Sequence, residues 1–182
     1  MNVSTAALPG YLAGTWTISP VNSDVSFTVR HLGVTTVHGR FNDVTGAIVT
    51  GDPLERSWVT AVIAADSIDT GFPARDSYLK GSDVLAAGEH KELRFESAGV
   101  RVADGGVRVD GGLTIRGVSS PVSLAVELGG FGEDPTGRQQ VLGLSATVTL
   151  HRADFGFSPD IPSLIIGEDI SVRLDLHAVL DA

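Results

Sequence analysis

The five histidines are the residues of this 182-residue chain best placed by type to do chemistry, since it contains no cysteine. His31, His38, His90, His151 and His177 fall on separate segments. None has the i, i+4 helical spacing or the short pairing that zinc favours. The missing cysteines exclude thiolate catalysis, disulfides and Cys-based metal sites. Gly143-Leu144-Ser145-Ala146 is only a fragment of a nucleophile elbow; strand alternation points Ser145 away from the interior. No glycine pattern forms a phosphate loop or a dinucleotide fingerprint. Glu168-Asp169 reads as a solvated pair at a strand start, Arg75-Asp76 as an ion pair anchoring a helical insert, and Asp154 as a turn-former. No metal and no cofactor are expected. His31 alternates onto the face of Val25, Phe27 and Val29. Two readings of it stand. One is a core histidine bonded to a backbone group, because buried polar groups need partners. The other is a hydrogen bond to a polar group of a ligand.

The elements that position these residues are mostly strands. Val25, Phe27, Val29 and His31 alternate with Ser26, Thr28 and Arg30, the period of a half-buried strand. Leu32-Gly33 breaks it, and a long strand is expected from about Thr36 to Val49, with Gly46 as a bulge. Trp58 to Ala65 is apolar on both faces and is expected to be covered on each side or to line a dry cavity. Leu93 to Val102 is a strand, Asp104-Gly105-Gly106 a hairpin turn, and Val107 to Ile115 the return strand, bent at Gly111-Gly112. Gly117 to Pro121 reads as a turn and Glu133 to Gly137 as a loop. The runs from Val122, from Leu142 and from Ile170 again alternate. Two stretches lose the rhythm. Ser67 to Leu85 offers Asp69 and Thr70 as caps, Pro73 for a first helical turn and Gly81 to end it. Arg152 to Gly167 is irregular yet rich in apolar bulk.

About eight strands, many near ten residues, imply an all-β fold. At about 3.3 Å per residue each runs roughly 30 Å. Eight antiparallel strands close into an elongated barrel just wide enough for one slender ligand. An aliphatic interior suits an apolar, chain-like guest, and the two inserts, 67–90 and 152–167, can plug or gate its ends. The net charge of −9 opposes phosphate neutralisation, so no nucleic acid is expected. It equally opposes docking on an anionic membrane by charge. No run reaches about 18 apolar residues, so no transmembrane segment is expected. Residues 1–14 read as a flexible leader without signal-peptide character, and 15–182 as one domain, with a cytoplasmic location the expectation.

Several motifs are similar, in order, to those of the YceI-like family, a lipocalin-like group of lipid-binding barrels. Ser23 to Gly33 followed by Val37-His38-Gly39-Arg40-Phe41 resembles the opening hairpin. Ser67 to Gly71 with Arg75, Asp76 and Leu79 resembles the helical insert. Gly112 to Val122 resembles the central turn, and Arg152 to Gly156 with Ile166 to Ile170 the final segment. The chain departs from the pattern at Ser19, Asn22, Tyr78 and Val84-Leu85, and the last of these widens or reshapes one end of the pocket. The resemblance implies a non-catalytic protein holding a polyisoprenoid, such as an isoprenoid-quinone-type lipid, for carriage, storage or shielding. A homodimer is a further expectation.

The residues expected to meet that guest are Phe27, Val29, His31, Phe41, Phe95, Leu113, Ile115 and Leu144 on strands. The first insert adds Ile68, Phe72, Tyr78, Leu79 and Leu85, and the second adds Phe155, Phe157, Ile161 and Leu164. Phe155 and Phe157 stand equally as core or pocket; Phe72, Tyr78 and Leu79 stand as plug or ligand contact. Two rival functions remain. One is an enzyme acting on an isoprenoid-like substrate with His31 as acid or base, which needs a second titratable group within reach. The other is a structural or stress-response barrel filled by its own side chains.

Overall fold

The computed structural model describes residues 8–103 and 105–182. Its strands are β1 (Gly14–Ile18), β2 (Asp24–His31), β3 (Thr35–Phe41), β4 (Val44–Thr50), β5 (Trp58–Ala64), β6 (Ile68–Asp69), β7 (Glu92–Ala103), β8 (Gly106–Ile115), β9 (Val118–Glu133), β10 (Gln140–His151) and β11 (Ile166–Leu180). The helix α1 (Pro73–Lys80) follows β6. Every pairing is antiparallel, in the order β1-β4-β5-β7-β8-β9-β10-β11, and β11 returns to β1 to close the sheet into an eight-stranded barrel.

β11 is the seam. From Ile166 to Asp175 it pairs with β2, and from Ala178 to Leu180 it pairs with β1. β1 and β2 therefore share one barrel position, broken in the middle. The next position is shared by β3 and β4, because β3 pairs with β2 and β4 with β1. The single strand expected over Thr36–Val49 is thus two. The break falls at Asn42-Asp43, whose backbone N–H groups are drawn to the Ser67 carbonyl and hydroxyl at 3.1 and 3.2 Å. Gly46 does mark an irregular point: its φ is 152°, and a Cβ there would lie 2.2 Å from the Thr60 carbonyl oxygen.

Other expectations are refined. Trp58 is not covered; at the start of β5 it is 45% exposed, while Val59, Ala61 and Ile63 face inward. The turn expected over Gly117–Pro121 is the pair Arg116-Gly117, both with positive φ, and Pro121 lies within β9 opposite Gly112. Positive φ at both central residues is the turn whose twist matches the flanking strands. The β2–β3 hairpin uses the same device at Leu32-Gly33, with φ of 54° and 67°. Asp104, in the expected β7–β8 turn, lies outside the described residues.

Three apolar clusters follow one another along the barrel. One is built on Trp16, Ile18, Ile48, Leu142 and Ala178. A middle one gathers Ala61, Phe95, Val109, Val126 and Ala146. The third joins the barrel end to the inserts through Ile68, Val84, Leu85, Leu93, Ile115, Leu150, Phe155 and Phe157.

Glycine makes room for rings at two inward positions. Gly39 lies opposite Phe27, and a Cβ on it would stand 2.3 Å from that ring. Gly111 is buried, and a Cβ on it would meet the Glu96 carbonyl oxygen at 2.4 Å and the Phe95 ring at 2.8 Å. Gly112, next along the strand, has nothing within 4 Å. Gly111→Ala should therefore destabilise by about 1–3 kcal/mol, whereas Gly112→Ala should stay within about 0.5 kcal/mol of the parent. Thermal unfolding followed by circular dichroism distinguishes the two.

Candidate binding cavity

One end of the barrel is sealed. Trp16 has no exposed surface, and its indole N–H donates to the Thr50 hydroxyl at 2.8 Å. That hydroxyl in turn donates to the Leu12 carbonyl at 2.6 Å. The Phe131 ring stands edge-on to both Trp16 and Tyr11, at 5.5 and 5.2 Å. The Tyr11 phenol donates to the Gly51 carbonyl at 2.5 Å, and burial raises its pKa above the ordinary value. Tyr11, which falls within the expected leader, packs onto the closed end because its ring finds an aromatic partner there. Residues 1–7 of that expected leader lie outside the described residues.

Beyond Ile48, Val59, Leu144 and Leu176 the interior opens into a cavity of about 360 Å³. Its walls come from β2–β5 and β7–β11 and are almost wholly aliphatic and aromatic. The polar residues on its lining are Ser26, Arg30, His31, Arg75, Tyr78, Arg152 and Ser158. Among the described residues no Asp or Glu lines it, so His31 has no carboxylate beside it there.

Two inserts cover the far end. α1 begins without a side-chain cap on Phe72. The expected caps work differently: the Asp69 carboxylate accepts from the Gly71 N–H at 2.8 Å, and Asp76 reaches back to accept from both the Thr70 N–H and hydroxyl at 2.9 and 2.6 Å. The Gly71 amide, followed by the Asn42 side chain, holds the Asp69 carboxyl below the usual carboxylate range. Arg75 does not pair with Asp76, since adjacent helical residues do not face each other. Instead its guanidinium donates to the Thr70 hydroxyl and carbonyl at 2.8 and 2.9 Å. Thr70 is thus the shared anchor of both charges.

The second insert starts with a 3₁₀ turn at Arg152–Phe155. Arg152 is 8% exposed and donates to the carbonyls of Phe157, Ser158 and Ile161 at 3.4, 2.7 and 2.5 Å. Ser158, at φ 42°, donates its N–H to the Asp83 carbonyl at 2.7 Å, and its hydroxyl lies 3.0 Å from the Tyr78 phenol. That contact ties the inserts together across the barrel mouth. Arg116 braces the same corner by donating to the Gly156 carbonyl at 2.9 Å.

Of the residues expected from sequence to meet a guest, Phe27, Val29, His31, Phe41, Ile68, Tyr78, Leu79, Leu85, Phe95, Leu113, Ile115, Leu144 and Phe157 line the cavity. Four lie elsewhere. Phe72 is 56% exposed at the start of α1, where the Arg75 guanidinium sits 5.8 Å from its ring. Phe155 is 1% exposed and stacks on Phe157 at 5.7 Å, behind the lining. Ile161 contributes its carbonyl to Arg152, and Leu164 is 73% exposed beside Gly33. Of the polar lining residues, sequence reading missed Ser26, Arg30, Arg75, Arg152 and Ser158. Only the position of Arg152, where an alternating strand runs into an apolar irregular stretch, hinted at burial.

A closed antiparallel barrel with a blind apolar cavity under two capping inserts is a lipocalin-like architecture. Solved structures share it: the Campylobacter jejuni YCEI protein aligns with a TM-score of 0.74 at 25% identity, over 84% of this chain and 90% of that one. A polyisoprenoid binding domain from Saccharophagus degradans aligns at 0.69 and 15% identity, over 94% and 100%. The chain belongs to the YceI-like domain family, whose match spans residues 16–178. UPF0312 proteins from Pseudomonas paraeruginosa and Vibrio parahaemolyticus are 34% and 32% identical, over 75% and 86% of this chain and 72% and 80% of theirs. No helix among the described residues is long and apolar enough to cross a membrane.

Thr70→Ala removes the hydroxyl that serves both Arg75 and Asp76. Amide exchange across 71–80 should rise on the order of tenfold, as loss of one or two hydrogen bonds predicts, while β9 and β10 keep their protection. Hydrogen-exchange mass spectrometry reads this directly.

Proposed function

We propose that this protein binds a long apolar lipid of the polyisoprenoid class inside the barrel and carries, stores or shields it without transforming it. The observation that carries this reading is the cavity itself: about 360 Å³, blind at the Trp16 end, with aliphatic walls. Ligand sites of small molecules begin near this volume, about 300 Å³. An apolar guest that fills this space buries its own surface at about 25 cal/mol per Å². The Saccharophagus degradans neighbour of the same fold is described as a polyisoprenoid binding domain, which supports this class of guest.

Native mass spectrometry of protein purified from its own host should show a lipid adduct, and organic extraction should release it. Added geranylgeraniol should bind one to one. Ala146 lines the middle of the cavity and is 3% exposed. Ala146→Phe should lower occupancy on the order of tenfold, at a stability cost of about 1–3 kcal/mol. Absence of lipid from every preparation, with no uptake of added polyprenyl alcohol, rejects the proposal.

A further inference from the structure

We infer that the outer rim around the covered end of the barrel is a docking surface for a neutral lipid bilayer, so that the apolar guest passes between membrane and barrel without crossing water. The inference rests on the lipid-binding reading of the cavity and goes beyond it by assigning the surface and the phase on which the guest is exchanged.

The two ends of the barrel differ in what their connections expose. The β2–β3 turn, the insert bearing α1, the β8–β9 turn and the β10–β11 insert all lie at the covered end. Each carries at least one exposed large apolar side chain: Leu32 and Val34 on the first, Phe72 and Tyr78 on the second, Val118 on the third, Leu164 and Ile165 on the fourth. These are seven of the ten exposed large hydrophobics among the described residues. At the opposite end the connections carry charge, with Asp52, Glu55 and Arg56 on one and Asp134 and Arg138 on another. Scattered single hydrophobics are ordinary on a surface, whereas a gathered set marks a protein or membrane contact.

Two of these tips form one platform. The Leu32 N–H donates to the Ile165 carbonyl at 2.9 Å, and Leu164 lies beside Gly33. Val34 and Leu164 stand furthest out, 76% and 73% exposed. Residues 32–37 and 161–167 contain no Asp, Glu, Lys or Arg, in a chain with 22 acidic and 13 basic residues. Their turns are also bonded from within. The Arg30 guanidinium donates to the Gly33 carbonyl at 2.7 Å, and the Val34 N–H to the His31 carbonyl at 3.2 Å. The Ile165 and Ile166 N–H groups both donate to the Pro162 carbonyl, at 2.9 and 3.2 Å. A turn that enters an apolar phase loses free energy for every open N–H and C=O, and these groups are already paired.

A bilayer is the occupant that these features select. A polyisoprenoid dissolved in a membrane would expose its whole apolar surface on crossing water. A rim seated on the lipid removes that step. Charge then sets which bilayer. The net charge of −9 is repelled by an anionic surface. Insertion of the uncharged tips is the attractive contribution, so a neutral membrane is favoured.

The test is flotation of the full chain with phosphatidylcholine vesicles. The protein should float with them. Replacing about a third of the lipid by phosphatidylglycerol should weaken binding several-fold at about 0.02 M salt, with the difference gone at about 0.5 M. Val34→Asp and Leu164→Asp should each weaken binding on the order of tenfold, the loss expected when one aliphatic side chain leaves an apolar phase. Both side chains are exposed, so the thermal unfolding of the variants should match the parent. The variants should take up geranylgeraniol from ethanol as the parent does, but on the order of tenfold more slowly from vesicles. Absence of flotation at both salt concentrations, or variants that float like the parent, overturns the docking surface and leaves the cavity standing as a lipid site. A dimer in analytical ultracentrifugation that the same two substitutions dissociate assigns the rim to a second copy and likewise overturns it. Flotation without uptake of geranylgeraniol from either source removes the lipid reading of the cavity and leaves the docking surface standing.

Discussion

Everything in this molecule depends on the closure of one sheet along β11. A strand that pairs with β2 over one half and β1 over the other closes the sheet on itself, and β3, paired beyond β2 just at Arg40 and Phe41 by β6, keeps an open stretch of edge. Closure at eight strands also sets the interior width. The side chains on the inner face then decide whether that width is filled. Here they do not fill it: Gly39, Gly111, Ala61 and Ala146 all face inward, and small residues at those points leave the aromatic rings lying along the wall.

The two ends of the barrel solve opposite problems. At the closed end, large rings meet: Trp16, Phe131 and Tyr11 pack together, and Thr50 satisfies the indole N–H. Nothing there needs to move. At the other end the cover is made of segments held by an apolar cluster, with Val84, Leu85, Phe155 and Phe157 packed on the barrel, and by polar contacts around it. Thr70 anchors α1, Tyr78 meets Ser158, and Arg116 reaches Gly156. Hydrogen bonds of that kind contribute about 1 kcal/mol each. The exposed aliphatic side chains of Leu32, Val34, Leu164 and Ile165 lie on the same side, on two turns joined by the Leu32 N–H to Ile165 carbonyl bond.

The fold was legible because a strand with one buried face writes itself as alternation. Val25-Phe27-Val29 and Leu142-Leu144-Ala146-Val148-Leu150 could be assigned to the interior from spacing alone, and most of the expected lining residues are found there. Breaks were harder. Nothing local distinguishes a continuous strand over 36–49 from two strands split at Asn42-Asp43; the split is imposed by Ser67, 24 residues away. The inserts were least legible, since without a period a residue's direction is set by what it packs on. Phe155 and Phe157 have the same chemistry and lie two apart, yet one is sealed in the core and the other faces the cavity.

The amino-acid sequence by itself determined the class of structure: a rolled antiparallel sheet with an oily interior and two apolar inserts to cover it. It did so because burial of one strand face is a local constraint, repeated every second residue. Tertiary structure alone decided that one end is sealed by packed rings and the other by two inserts that add hydroxyl and guanidinium contacts to an apolar cluster. It alone also made Arg152 a buried cation whose guanidinium is held by the backbone carbonyls of Phe157, Ser158 and Ile161. The reason is that counter-charges and burial are properties of neighbours brought together from distant segments, and no spacing along the chain records them.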